Sequence, residues 1–178
     1  MRIDGRKIAE KIRNNLKSYI LDLKNQGIVP KIAIITLGLE MSWGVYVRQK
    51  IKVAGELGIK AVLINLESAG EKKLIRTVRE IDSDPKYHGI IVQRQIPSNF
   101  NRERVVSSIS PEKDVDGFHP DSKFEAPVFL AVRRLIGETL LSLDIRRGWN
   151  EFNFVVLGKG ETAGGPVIQG LRKLGVEP

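Results

Sequence analysis

The sequence contains no cysteine, only two histidines among 178 residues, and no apolar run approaching the ~18–20 residues that cross a bilayer. The missing cysteines exclude a disulfide framework, a thiolate metal site and a cysteine nucleophile. With two histidines a histidine-rich metal centre is disfavoured, and we expect no metal. The N-terminus is charged and helical in pattern, unlike a secretory signal. We therefore expect a cytoplasmic protein with no membrane partner.

The chain also lacks any long basic run, although Lys and Arg outnumber Asp and Glu by 29 to 21, a net charge of +8. Paired arginines occur only at 133–134 and 146–147, and no basic motif is interleaved with aromatic residues. This scatter is typical of a solvated basic surface, which can also attract a polyanionic small ligand. We do not expect nucleic acid as a partner.

Short β-branched segments alternate with segments of helical apolar period. Four strands are predicted: KIAIITLG at 31–38, KAVLINL at 60–66, GIIVQ at 89–93 and FNFVVL at 152–157. Ser68 and Glu71 have the spacing of a capping box before the helix that follows the second of these segments. Strands that alternate with helices predict parallel βαβ units, hence an α/β fold that binds ligands beyond the carboxyl ends of its strands.

Three side chains are candidates for catalysis or ligand binding: two on one predicted helix and one at the end of a predicted strand. Tyr46 and Lys50 lie four residues apart, so a helix places them side by side. Lysine in a partly apolar cleft can act as a general acid or base, but spacing alone favours a solvated Lys50 beside a half-buried Tyr46. Gln93 ends its strand, where the amide can meet a ligand or satisfy loop backbone.

The loop segment KDVDGFHP carries two carboxylates, Asp114 and Asp116, followed by Gly117. A carboxylate there can accept paired N–H groups from a heterocycle. Asx-turn chemistry is the alternative. Metal binding ranks below both, because two carboxylates without further ligands are too few.

A glycine-rich turn, VVLGKGETAGGP, joins the fourth predicted strand to the last predicted helix. Gly158, Gly160 and Gly164 would let the backbone approach a phosphate at the helix N-terminus. The spacing is G-x-G-x-x-x-G rather than the common G-x-G-x-x-G, so the signal is weak apart from its strand–turn–helix context.

In this order, YVRQK, GIIVQ, PEKDVDGFHP and VVLGKGETAGGP resemble the bifunctional methylenetetrahydrofolate dehydrogenase/cyclohydrolase family. The resemblance implies a three-layer, parallel-sheet folate-binding domain at 1–127. It also implies that 128–178 forms a linker helix and the first βα unit of a Rossmann-type domain for NADP, or alternatively NAD.

The implied function is NADP-dependent oxidation of 5,10-methylenetetrahydrofolate to the methenyl form, followed by hydrolysis to 10-formyltetrahydrofolate. Tetrahydrofolate derivatives are the implied substrates, and we expect a homodimer. The family match implies that Lys50 is the catalytic lysine and that Tyr46 stacks on and orients the folate. Gln93 would support the lysine, Asp116 would anchor the pterin ring, and Lys159 would lie near the NADP phosphate beside Gly158.

The sequence departs from the family pattern on the folate side. Arg94 and Gln95 stand where Leu and Pro are usual, Trp43 where a small Ser is usual, and Phe129 where a Gly is usual. The loop at 124–127 reads FEAP, of which only the proline matches. The alternative is therefore a non-catalytic, shortened relative that binds a folate-like ligand or a partner chain.

Family members continue through further βα units, so we expect this chain to be a fragment or a shortened relative. A single βα unit leaves the apolar residues of 152–174 without most of their usual neighbours. We therefore expect this segment to self-associate or to be mobile, and dinucleotide affinity to be weak.

Overall fold

The structure is a computed structural model, and it describes residues 3–38, 40–94 and 96–178, without the side chains of 40–43. The family departures at Gln95 and at the Trp43 side chain therefore lie outside the described residues. No described helix is long and apolar enough to cross a membrane. The elements are α1 Gly5–Asn25, β1 Lys31–Leu37, α2 Glu40–Leu57, β2 Lys60–Leu66, α3 Glu71–Ser83, β3 Gly89–Val92, α4 Arg102–Val106, α5 Pro127–Ser142, a 3-10 turn Trp149–Glu151 and α6 Gly164–Lys173.

The described strands form one parallel sheet in the order β2-β1-β3. This confirms the predicted α/β fold and the first three predicted strands. The last five residues of the central strand β1 are buried, because β2 and β3 pair with its two edges and helices cover both faces. Thr36 is fully buried near its end, and its hydroxyl donates to the side-chain oxygen of Asn65, its register partner on β2.

Alternating residues of the sheet face two helical layers. Ala33, Ile35 and Leu37 pack with the apolar stripe of α3 and with α4, whereas Ile34 packs with Val47 of α2. Strand β3 follows the same period of two: Ile90 and Val92 belong to the first cluster, and Ile91 belongs to the second. The helix–sheet–helix arrangement confirms the three-layer prediction.

The chain divides into two compact units, Glu10–Lys123 and Met1–Ala9 with Phe124–Pro178. The first unit contains the sheet. In the second, Phe129 of α5 is buried with Leu171 of α6 and with Val176. Trp149 and Phe154 stack at 5.6 Å between ring centroids beside this cluster.

The fourth predicted strand is not formed, because no described strand pairs with residues 152–157. The side chains do alternate: Phe154 and Val156 pack on the Phe129 cluster, while Val155 and Leu157 are 83% and 93% exposed. Apolar alternation predicts which side of a chain is buried, but a strand also needs a hydrogen-bonded neighbour.

The predicted capping box was also wrong. Helix α3 begins at Glu71 with Gly70 as its N-cap, so Ser68 precedes the cap by two residues and makes no cap bond. The Glu71 carboxylate instead accepts a hydrogen bond from the backbone N–H of Asn101 and forms an ion pair with Arg104 at 3.4 Å. Glu71 thereby joins α3 to α4 rather than closing its own helix.

Candidate active site

Lys50 and Gln93 meet at the carboxyl end of the sheet. The Lys50 ammonium donates a hydrogen bond to Gln93 Oε1 at 3.1 Å. Two features of the fold bring them together. Because side chains alternate along β3, the Gln93 side chain points to the same side as Ile91, towards α2. The backbone N–H of Gln93 donates a hydrogen bond to Ile35 O at 2.8 Å, which fixes the end of the strand. A half-buried lysine with a fixed amide partner is therefore held in one place.

The loop that carries Asp114 and Asp116 runs beside β3. Ile90 donates to the carbonyl of Lys113, and Ile90 forms an isolated parallel bridge with Asp114. Gly89 permits this approach, because a Cβ there would collide with the side chain of Val115. The loop thus lies along the edge of β3 opposite β1, and its side chains lie near the carboxyl end of the sheet, where Gln93 also lies.

The two carboxylates have different roles. Asp114 is 1% exposed, and its carboxylate accepts from the backbone N–H of His119 at 2.7 Å while its carbonyl accepts from Ser122. Asp114 therefore fixes the loop through a partner five residues on, which is a structural role like that of an Asx-turn but not its i to i+2 bond. The side chain of Asp116, by contrast, is only half-buried.

Burial raises the pKa of Asp116 above its ordinary value, since desolvation disfavours the charged form. The Lys50 ammonium acts in the opposite direction, the Asp114 carboxylate raises the pKa further, and the Arg94 guanidinium lowers it. Asp116 is therefore electrostatically coupled to the lysine, although they lie on different elements. The predicted Lys50, Gln93 and Asp116 come together at one edge.

Tyr46 lies one turn before Lys50 on α2 and is 69% exposed. The structure thus places its phenol in solvent rather than in the half-buried position considered from the sequence. An exposed ring next to the lysine has a face available to a planar ligand.

Two residues of this site were not predicted as functional. Arg94 follows Gln93, and its guanidinium carbon lies 3.4 Å from the centroid of the Phe118 ring, two residues after Asp116. The sequence did single out Arg94, because the family usually has a leucine at this position. It did not indicate that Phe118 would be its partner.

The predicted phosphate-binding residues lie in the second compact unit. Gly158 has φ +94°, a conformation that favours glycine, and a Cβ on Gly164 would overlap the carbonyl of Gly158. Gly160 O accepts from the backbone N–H of Gly165 at 2.9 Å, and Lys159 is exposed. The glycines thus allow a tight turn against the start of α6, with a cation on the turn.

The chain thus contains a parallel α/β unit with a lysine, an amide and a coupled carboxylate at the carboxyl edge of its sheet, the edge at which open α/β sheets bind ligands. Residues 3–116 match the family model of the tetrahydrofolate dehydrogenase/cyclohydrolase catalytic domain. The chain belongs to this family, which confirms the resemblance found in its motifs.

Similar proteins are spread widely. The bifunctional protein FolD of Listeria innocua is 35% identical over 177 residues, which is 94% of this chain and 60% of that protein. The crystal structure of FolD from Campylobacter jejuni, a methylenetetrahydrofolate dehydrogenase/cyclohydrolase, is 28% identical with a TM-score of 0.86, over 98% of this chain and 64% of that one. FolD of Trypanosoma brucei, complexed with NADP cofactor and inhibitor, is 26% identical with a TM-score of 0.81, over 98% and 61%. The chain thus spans less than two thirds of each of these relatives.

Proposed function

We propose that the sheet-containing part of residues 1–127 binds a reduced folate at the carboxyl edge of the sheet and that Lys50 exchanges protons at its one-carbon bridge. The complete activity would interconvert 5,10-methylene-, 5,10-methenyl- and 10-formyltetrahydrofolate. The observation that carries the proposal is the 3.1 Å hydrogen bond between Lys50 and Gln93, with Asp116 coupled to the same ammonium. Membership of the family supports it.

In the hydrolytic step, water adds to the electrophilic methenyl carbon, and the bond from that carbon to N5 then breaks. When the carbinol oxygen becomes the formyl carbonyl, one proton of the added water is released to solvent. The other two transfers take a proton from the incoming water and deliver one to N5 as it departs. A single amine can perform both transfers, as a base in the first and an acid in the second. Gln93 Oε1 can accept a hydrogen bond from the amine in either protonation state and would keep Nζ aimed at the bridge.

The remaining roles concern orientation. Asp116 would accept N–H groups of the pterin ring, a paired interaction that suits a carboxylate. Tyr46 would stack on the folate, since its ring is exposed one turn from the lysine. Fixing a planar ligand between such contacts supplies much of the rate gain in reactions of this kind.

We assign Gly158, Lys159, Gly160 and Gly164 to the phosphate of a dinucleotide, NADP in preference to NAD. Three glycines let the backbone of this turn approach such a group and Lys159 supplies a cation, although Glu161 on the same turn is an anion. When bound, the nicotinamide accepts the hydride that leaves the methylene carbon. The NADP complex of the trypanosome relative supports the choice.

Three further features belong to the same proposal: a homodimer, a cytoplasmic location and a contribution to purine biosynthesis through 10-formyltetrahydrofolate. We also propose that residues 1–127 are the folate-binding domain. Residues 128–178 would then contain the linker helix and part of the dinucleotide domain.

Binding of 5-formyltetrahydrofolate, measured by calorimetry, tests the folate site. We expect Asp116→Asn to weaken binding about tenfold or more, because a charge-assisted hydrogen bond contributes about 1.5–3 kcal/mol. Asp121→Asn is the matched control, since Asp121 is an exposed carboxylate of the same loop. Failure to bind, or an equal effect of both variants, would contradict the proposed site.

Turnover and salt dependence separate the alternatives. Hydrolysis of 5,10-methenyltetrahydrofolate by the chain supports the enzyme, whereas binding without turnover supports the non-catalytic relative. Folate binding should depend weakly on salt. Nucleic-acid binding would fall steeply, with a log–log slope of about −0.9 per neutralised phosphate.

A further inference from the structure

Arg94 connects the end of β3 to the loop that carries Asp116. Its guanidinium carbon lies 3.4 Å from the centre of the Phe118 ring, well within the range of a cation–π contact. A flat guanidinium stacked at this distance has few orientations left, so its charge is fixed in position.

The charge is fixed beside the carboxylates of the site. Arg94, Phe118, Asp114 and Asp116 line one small cavity whose remaining walls are apolar side chains of the sheet end and α4. Apolar walls lower the local dielectric, so a charge there acts on its neighbours more strongly than it would in water.

Three charged groups face Asp116: Lys50 from α2, Asp114 from its own loop and Arg94 from the end of β3. Burial and Asp114 raise the pKa of Asp116, while Lys50 and Arg94 lower it. The two cations differ in one respect. An amine that exchanges protons loses its charge once in each cycle, whereas a guanidinium keeps its charge throughout.

We infer that Arg94 is a positioning residue for Asp116: held against Phe118 in the cavity that Asp116 also lines, its permanent charge favours the carboxylate that a ligand would meet while Lys50 changes protonation. The family's usual leucine at this position cannot do so. The part of this inference that concerns folate rests on the proposed function. The part that concerns the carboxylate does not.

The first test measures the Asp116 carboxyl directly, by carbon-detected NMR titration of the ligand-free chain, with the signal assigned by its loss in Asp116→Asn. We expect Arg94→Met to raise the apparent pKa of Asp116 by roughly one unit, the low end for loss of an opposite charge. Arg94→Lys should stay near the wild-type midpoint. Arg76→Met, which removes the same charge from an exposed site on α3, should not move it.

Arg94→Gln provides a second neutral variant should the methionine disturb the fold. An unchanged Asp116 midpoint in the folded neutral variants would overturn the inference. A shift of the same size in Arg76→Met would also overturn it, because the effect would then be one of net charge.

The second test follows the affinity for 5-formyltetrahydrofolate as the pH is lowered. In Arg94→Met the loss of affinity should begin at higher pH than in the wild type, and KM for the methenyl substrate should rise more than kcat falls. If the NMR shift occurs but no folate binds, the proposed function fails and the coupling of Arg94 to Asp116 stands. If folate binds with the same pH midpoint in both proteins, the inference fails and the proposed function stands.

Discussion

Lys50 Nζ donates to Gln93 Oε1 at 3.1 Å across 43 residues of sequence, joining α2 to the end of β3. Because β3 alternates with a period of two, Gln93 projects towards α2 like Ile91 before it. The contact therefore depends on the pairing of β3 with β1, and the chemistry proposed for this edge of the sheet depends on the contact.

We expect Lys50→Met to lower the rate of hydrolysis of 5,10-methenyltetrahydrofolate by about 10²–10⁴-fold, to a small residual rate, while 5-formyltetrahydrofolate binds within about a factor of ten of the wild type. Methionine keeps the length of the side chain but cannot carry a proton. Lys52→Met is the matched control, because Lys52 is an exposed lysine of the same helix, paired loosely with Glu56. Unchanged turnover in Lys50→Met would remove this lysine from the mechanism.

Gln93→Leu should lower turnover through Lys50. The leucine removes the acceptor that orients the ammonium, so kcat should fall more than KM rises. In the double variant with Lys50→Met, the added loss should be far smaller than the product of the single losses, since the two residues act as one unit. If the steady-state rate losses of the two single variants instead multiply in the double variant, Gln93 acts independently of Lys50.

The pKa of Asp116 makes stability depend on pH. Burial raises this pKa above the ordinary value of 3.8, so the folded state resists ionising the group more than the unfolded chain does. The penalty is absent below about 3.8, where the carboxyl is protonated in both states, and develops as the pH rises through the folded pKa.

Asp116→Asn removes this penalty because asparagine stays neutral. We expect the variant to melt at a higher temperature than the wild type at neutral pH, with the difference shrinking as the pH falls from the folded pKa towards the ordinary value for Asp. Asp121→Asn should show no such trend. A variant less stable than the wild type at neutral pH would mean that Asp116 forms favourable contacts in the folded chain.

Most of the fold was predictable because its strands are β-branched runs and its helices carry apolar stripes. The prediction that failed was the fourth strand, because no described strand pairs with it. Residues 152–157 have the alternation of a strand, with Phe154 and Val156 inward, but pairing requires a neighbour that local sequence does not specify.

The candidate site was predictable as a set of polar residues near strand ends, but not as a set of contacts. Asp114 and Asp116 are two residues apart, and the sequence does not show that the Asp114 carboxylate accepts a hydrogen bond from the backbone N–H of His119 at 2.7 Å, whereas the Asp116 side chain is only half-buried. Arg94 likewise had no visible role, because its partner Phe118 lies in a different segment of the chain.

Gly170 limits the packing of the second unit. A Cβ at this position would overlap the ring of Phe129, which is 1% exposed and has little room to move. We expect Gly170→Ala to destabilise the chain by about 1–3 kcal/mol, the usual cost of overpacking. Gly137→Ala is the control: nothing lies within 4 Å of its Cβ, and alanine should stabilise α5 by about 0.5–1 kcal/mol. Chemical denaturation measures both, and equal effects would contradict the packing argument.

The segment 152–157 presents an apolar face without a described strand partner. Val155 and Leu157 are among the most exposed large apolar side chains, while the alternate residues are held against the Phe129 cluster. An extended segment anchored on one side, with free edges and an apolar outer face, can pair with another chain. We therefore expect the protein to self-associate through this segment as its concentration rises.

The double variant Val155→Lys, Leu157→Lys tests this expectation, since charged residues on an exposed edge oppose pairing. Sedimentation velocity over a range of concentrations should show the wild type associating and the variant remaining smaller. Leu141→Lys is the matched control, because Leu141 is 76% exposed on α5 and outside the segment. The prediction fails if the wild type is monomeric throughout, or if the double variant associates as strongly as Leu141→Lys. In either case the alternation of residues 152–157 would serve packing within one chain only.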